Sequence, residues 1–207
     1  MLEELQIPYE LINALPVAKE VLKYNTSGKI PVLLVNDDGE EGNEEPSYCV
    51  TESAVINTYL GDRFPEKCLV PKFGSRQRIV YDELVMKLMT ELDATSLWVN
   101  QKHTVLGKWF GYVPEIEKPS AEQFTRMNRV VARDLQTSNG PFLLGKSFTA
   151  ADILYSECLD WAVRHGWQDS FQSGTLEEYR RVCHGRPAWQ RARKRGKAAA
   201  AESKSKL

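Results

Sequence analysis

The sequence predicts two packed domains, a small α/β unit followed by an all-α unit. Three observations carry this. Short β-rich runs occur only before about Phe64. From Pro71 onward, apolar residues recur at three- and four-residue steps over many turns. Between the two, Cys68-Leu69-Val70-Pro71-Lys72-Phe73-Gly74 carries the Pro and Gly punctuation of a linker. The expected boundaries are residues 1–66, a linker at 67–74, a helical domain at 75–190 and a disordered basic tail at 191–207.

Leu2, Leu5 and Ile7 read as the last turn of an amphipathic helix that Pro8 stops. Tyr9-Glu10-Leu11-Ile12 reads as a short strand. Gly28 to Val35 is a β-rich apolar run after a turn, and Ser47 to Val50 is its return strand. Between them lie a reversal at Asp38-Gly39 and an acidic surface stretch, Glu40 to Glu45, which by default is a solvated turn. Thr51 to Phe64 is a helix whose buried face is Ala54, Val55, Tyr59 and Leu60. Helices follow over Arg76–Gly107, Ser120–Ser138, Ser147–Gly166 and Thr175–Gly185.

Of the 207 residues, 42% are hydrophobic and 27% charged, an ordinary globular balance. The net charge of -1 argues against a dedicated nucleic-acid binder. No apolar run reaches the ~20 residues of a membrane span, and the start of the chain carries no signal-peptide pattern. Cys49, Cys68, Cys158 and Cys183 form no CxxC pair, and His103, His165 and His184 form no ligand set, so no metal is expected. The chain ends Ser205-Lys206-Leu207, a peroxisomal address read by an import receptor.

Three short motifs carry chemistry. In Gly28-Lys29-Ile30-Pro31, a proline entering a strand belongs at its first residue or on an edge. A cis bond there would leave the Ile30 backbone free to pair with an extended peptide. Spacing alone favours a trans proline. In Val50-Thr51-Glu52-Ser53-Ala54, a strand runs into a helix start. That start attracts a carboxylate, Ser53 adds a hydroxyl, and Glu52 could hold an ammonium group. The plain alternative is N-capping by Thr51 or Ser53. In Phe148-Thr149-Ala150-Ala151-Asp152-Ile153, Thr149 and Asp152 form a capping box, with Phe148 and Ile153 at the staple positions. That motif is read as a folding element.

Together, in this order and spacing, these motifs resemble the glutathione transferase family. The resemblance runs from LEELQIPYELI through NTSGKIPVLL, TESAVINTYLGDRFP and GPFLLGKSFTAADI to RPAWQRAR. It implies a partial thioredoxin-like first domain and a helical-bundle second domain. It implies a cis Ile30-Pro31 bond. Glutathione's cysteinyl unit would pair with the Ile30 backbone, its γ-glutamyl head would sit on Glu52 and Ser53, and its glycyl carboxylate would lie near Lys29. Thr149 and Asp152 keep their folding role. The family's first strand, its loop with a catalytic Ser, Tyr or Cys, and most of its first helix have no counterpart in LEELQIPYELI. No catalytic residue is therefore assigned, and unpaired backbone and a packing gap are expected beside that segment. Cys49 is read as a small strand hydrophobe. Trp98, His103, Trp109, Phe110 and Tyr112 either border a hydrophobic co-substrate pocket or form helix core and a packed loop. The resemblance further implies a homodimer, formed by the last helix of the first domain against the partner's helical domain. The expected function is glutathione conjugation to hydrophobic electrophiles, or peroxide reduction, given a full N-terminus. The alternative is a non-catalytic binding or scaffolding module.

Overall fold

The structure is a computed structural model that describes residues 1–36, 46–171 and 174–205. The expected Asp38-Gly39 reversal, the acidic Glu40–Glu45 stretch and Lys206-Leu207 lie outside the described residues. In chain order, the elements begin with α1 (Leu2–Leu5), α2 (Lys19–Leu22), β1 (Val32–Val35), β2 (Tyr48–Thr51) and α3 (Ser53–Arg63). A long helix follows: α4 (Arg76–Lys87), a π-helical stretch Leu88–Leu97, the α-turn α5 (Trp98–Asn100) and a second π stretch, Gln101–Val105. Then come α6 (Gly107–Phe110), α7 (Glu117–Thr137), α8 (Ala150–Arg164), α9 (Thr175–His184) and α10 (Pro187–Ser205). The chain divides into two compact units. One is residues 1–63 with the C-terminal helix; the other is Phe64–Arg186.

In the smaller unit, β1 and β2 form a two-stranded antiparallel sheet, with Val32 opposite Thr51 and Val35 opposite Tyr48. Tyr9–Ile12 is not a strand. Its backbone takes no hydrogen bond among the described residues, and Leu11 and Ile12 are exposed. Strand propensity realises a strand only where a neighbour accepts the ladder. The buried face of α3 is Ile56, Asn57, Leu60 and Gly61, shifted around the helix from the expected one, and Val55 lies outside it.

The segment expected to be a disordered tail is helical through Ser205. Ala, Arg and Lys favour helix, and Glu3 anchors this one. Buried Glu3 accepts from Arg191 Nε at 2.8 Å, Arg195 Nε at 2.9 Å and the Tyr9 hydroxyl at 2.9 Å. Arg191 Nη2 also donates to the Glu3 carbonyl at 2.8 Å. The Arg191 hydrogen bond, opposed by burial, holds the Glu3 carboxyl below its usual value.

The larger unit is all helical, and its core is centred on Tyr81, Leu88, Leu92, Leu97, Phe124 and Tyr155. The unit begins at Phe64, and the expected linker is part of it. Leu69 and Val70 are buried, and the Leu69 carbonyl accepts from Ala150 N–H at 2.8 Å. The π stretches have a local cause. The hydroxyls of Thr90, Thr95, Ser96 and Thr104 donate to the carbonyls four residues back, at 2.6–3.1 Å. They compete with the α-helical N–H bonds for those acceptors.

Thr149 and Asp152 cap α8 as the sequence predicts. Asp152 Oδ2 accepts from Thr149 N–H at 2.8 Å and from its hydroxyl at 3.0 Å. Asp152 Oδ1 accepts from Leu143 N–H at 2.9 Å and the Tyr179 hydroxyl at 3.0 Å. One buried carboxylate thus ties the 143 loop, the start of α8 and α9 together. Phe148, at the staple position, packs edge-on against Phe142, with the Arg186 guanidinium over its ring. Thr149→Ala should destabilise the protein by about 1–2 kcal/mol, read as a lower denaturation midpoint.

Asp160 is the second buried carboxylate of this unit. Burial pushes its carboxyl up, but hydrogen bonds and charge from His184 and Arg180 outweigh that and bring it from 3.8 to about 2. Arg180 donates to it from Nε at 2.9 Å, and His184 Nε2 lies 3.1 Å away. A depressed folded-state value means stability that is present above the unfolded value and lost as pH falls through the folded one. The unfolding temperature should therefore drop between about pH 4 and pH 2, and Asp160→Asn should flatten that drop.

Candidate functional site

The ladder register builds the site. It ends at the pair Val32 and Thr51, so Ile30-Pro31, which precede β1, and Glu52-Ser53, which follow β2, leave the ladder at the same end. All the residues singled out by the sequence in this unit, Lys29, Ile30, Pro31, Glu52 and Ser53, thus gather at one end of a four-pair ladder. The Ile30-Pro31 bond is cis, as the family resemblance implies and contrary to the reading from spacing alone.

Among the described residues, the Ile30 backbone and the side chains of Lys29, Glu52 and Ser53 have no partner. The Ile30 backbone N–H and C=O take no hydrogen bond among the described residues. The Lys29 ammonium and Glu52 carboxylate form no ion pair among them, and the Ser53 hydroxyl has no partner. Helix α3 opens without a side-chain cap. Its first intrahelical bond runs from Ile56 N–H to Glu52 C=O at 2.9 Å, leaving the N–H groups of Ser53, Ala54 and Val55 open. Capping by Thr51 or Ser53, the plain alternative, does not occur among the described residues. An uncapped helix start attracts an anion, because free N–H groups and the helix dipole point the same way.

Glu52 adopts φ 64°, in the left-handed region. For a residue with a side chain this costs about 1–2 kcal/mol. The conformation turns the chain sharply from β2 into α3 and sets the carboxylate beside the open helix end. Chemically, the site combines a peptide edge, an anion-attracting helix start with a hydroxyl, a free carboxylate and a free ammonium. It matches an extended peptide bearing a zwitterionic head and a further carboxylate.

Sequence reasoning passed over two residues that shape the site. Asn25 brackets the 25–29 turn with its side chain, and the Asn-Thr-Ser-Gly pattern is the signal that could have found it. Val17, at φ 58°, donates its N–H to Gly28 O at 2.8 Å. Gly28 itself has φ +69°, and a Cβ there would meet Val17 Cγ1 at 2.6 Å.

The remaining candidates lie apart from one another. Cys49 is exposed on β2 and donates to Tyr24 O at 3.3 Å. His103 Nδ1 is 3.0 Å from Gly111 O, His165 Nδ1 is 3.1 Å from Asn100 Nδ2, and His184 faces Asp160. Among the described residues, no group of three or more His, Cys, Asp or Glu could hold a metal ion. No helix among them is long and apolar enough to cross a membrane. In the larger unit, Trp98 meets Phe110 edge-on at 6.2 Å, and Lys102 sits over the Phe110 ring. Trp109 and Tyr112 are 72% and 68% exposed, so this cluster is a surface and not helix core.

Comparison with known proteins agrees with the fold. Residues 1–63 match the family described as glutathione S-transferase, N-terminal domain. The chain is similar to the glutathione transferase URE2P8 from Phanerochaete chrysosporium, solved with oxidised glutathione. The identity is 20% over 97% of this chain and 88% of that one, with a TM-score of 0.78. It is also similar to Ure2p5 from the same organism, cocrystallised with 1-(S-glutathionyl)-2,4-dinitrobenzene, at 19% identity over 97% and 88%, with a TM-score of 0.77. A glutathione transferase from Methylococcus capsulatus str. Bath matches at 24% identity over 93% and 89%, with a TM-score of 0.73. No curated protein sequence matches the chain. Residues 1–63 thus match the glutathione S-transferase N-terminal domain, and the chain as a whole shares the two-domain fold of these solved transferases.

Because Glu52 sits in a conformation that glycine adopts freely, Glu52→Gly should leave stability unchanged or raise it by about 1 kcal/mol. Equilibrium denaturation reads this directly. A loss larger than that would mean the carboxylate serves the fold.

Proposed function

We propose that the chain binds glutathione at the open end of the β1–β2 ladder and serves transfer of its thiol to hydrophobic electrophiles. The observation that carries this is an Ile30 backbone unengaged among the described residues, at the end of the ladder where Glu52, without an ion pair among them, and the uncapped start of α3 also lie. The cysteinyl unit pairs with Ile30 N–H and C=O by strand addition. The γ-glutamyl carboxylate takes the α3 N–H groups and the Ser53 hydroxyl, and its ammonium meets Glu52. Lys29 lies within the same turn for the glycyl carboxylate. Peroxide reduction is the other reaction the same thiol supports. The solved relatives with glutathione or its dinitrophenyl conjugate support the ligand class.

A second reading, a binding or scaffolding module without catalysis, has its own observation. Two acidic groups of the smaller unit are held by structural bonds, the Tyr9 hydroxyl on Glu3 and the Cys49 thiol on the Tyr24 carbonyl. A thiol-conjugation assay with a dinitrophenyl halide separates the two, since only the first reading gives turnover. A homodimer is supported by Ile79, Val80 and Met86, which α4 leaves exposed, and by Val55 on α3. Peroxisomal import is supported by Ser205-Lys206-Leu207.

Calorimetric titration with glutathione tests the site. The protein should bind it, and Ser53→Ala should weaken binding about tenfold, the loss of a hydrogen bond to a charged group. Ser53→Ala binding as tightly as the original would remove the γ-glutamyl assignment.

A further inference from the structure

The turn before the peptide edge is held from both sides. Val17 N–H ties the Gly28 carbonyl at 2.8 Å. Asn25 Nδ2 ties the next carbonyl, that of Lys29, at 2.9 Å. Ile30 is the next residue in the run, and its backbone is open among the described residues. The other end of the Asn25 side chain is fixed as well. Its Oδ1 accepts from Ser27 N–H at 3.1 Å and the Ser27 hydroxyl at 2.8 Å, and the Ser27 hydroxyl in turn lies 3.4 Å from Lys29 N–H. Gly28 N–H returns to the Asn25 carbonyl at 2.9 Å. The orientation of the amide follows from its neighbours. A backbone N–H can only donate and a carbonyl can only accept, so the oxygen must face Ser27 and the nitrogen Lys29.

We infer that Asn25 is a positioning residue for ligand recognition: its amide nitrogen fixes the Lys29 carbonyl, and thereby the plane from which Ile30 offers its N–H and C=O to an extended thiol tripeptide. The inference rests on the glutathione reading above. The peptide group between Lys29 and Ile30 is one rigid plane that contains both the Lys29 carbonyl and the Ile30 N–H. Holding one end of that plane aims the other. Asn25 touches no ligand; it acts through Lys29.

Asn25→Asp isolates the one bond that matters. A carboxylate still accepts from Ser27 N–H and hydroxyl, so the turn keeps its bracket. It cannot donate to the Lys29 carbonyl. Ser27→Ala does the converse, removing the hydroxyl and sparing the Asn25–Lys29 bond. Asn25→Asp should weaken glutathione binding about tenfold in calorimetry, while its unfolding midpoint stays within about 3 °C of the original. Ser27→Ala should bind within about twofold. A merely structural Asn25 would instead lower the midpoint and leave the affinity of the folded protein unchanged, which would overturn the inference. If the unaltered protein binds no glutathione, the ligand reading fails by itself. Hydrogen exchange then decides the Asn25 role separately. Asn25→Asp should speed exchange at Gly28 N–H about fivefold or more, and unchanged exchange would overturn it.

Discussion

The register of a four-pair ladder governs the whole site. Val32 faces Thr51, so the residues that precede β1 and those that follow β2 lie at the same end of the ladder. Side chains alternate along a strand, so a slip by one residue would turn every one of these to the other face and separate the peptide edge from the helix start. An isolated pair of strands is marginal in water. Here it is bounded by two features that fix its phase. The turn at residues 25–29, locked by Asn25 and by the close approach of Val17 to Gly28, leads into β1. At the same end of the ladder, Glu52 bends sharply from β2 into α3.

The molecule treats its carboxylates in two ways. Glu3, Asp152 and Asp160 are buried and met by donors: two arginines and a tyrosine for Glu3, two backbone amides and two hydroxyls for Asp152, an arginine and a histidine for Asp160. Such groups hold elements together, because a buried charge without partners is costly. Glu52 is exposed, bears a strained backbone and has no ion-pair partner among the described residues. Backbone strain at a charge without a partner among the described residues is the feature on which the proposed ligand role of Glu52 rests.

Local patterns made much of this legible. Apolar periodicity located the helices from Arg76 to His184, and the Thr149–Asp152 spacing predicted a cap that is present. What stayed hidden depended on distant partners. Tyr9–Ile12 has strand composition but lacks the neighbour a strand requires. Residues 191–205 look like a solvated tail because nothing near them in sequence shows that Glu3 awaits their arginines. The buried face of α3 was placed wrongly because Val55 and Ile56 are equally apolar, and only packing distinguishes them. The isomer at Ile30-Pro31 carries no signal in spacing; only the family resemblance implies it. Asn25 stands in an Asn-Thr-Ser-Gly turn pattern, but which carbonyl its side chain ties depends on the folded turn.

The bond between Arg191 and Glu3 joins residues 188 positions apart. A ribosome makes the chain from one end, and early segments fold while later ones are still being added. The smaller unit therefore waits: α1 is made before the larger unit, and the guanidinium groups that meet Glu3 arrive only after the larger unit has been translated. Throughout that interval Glu3 must remain hydrated, and α1 lacks its final covering. The smaller unit is completed only after the larger one.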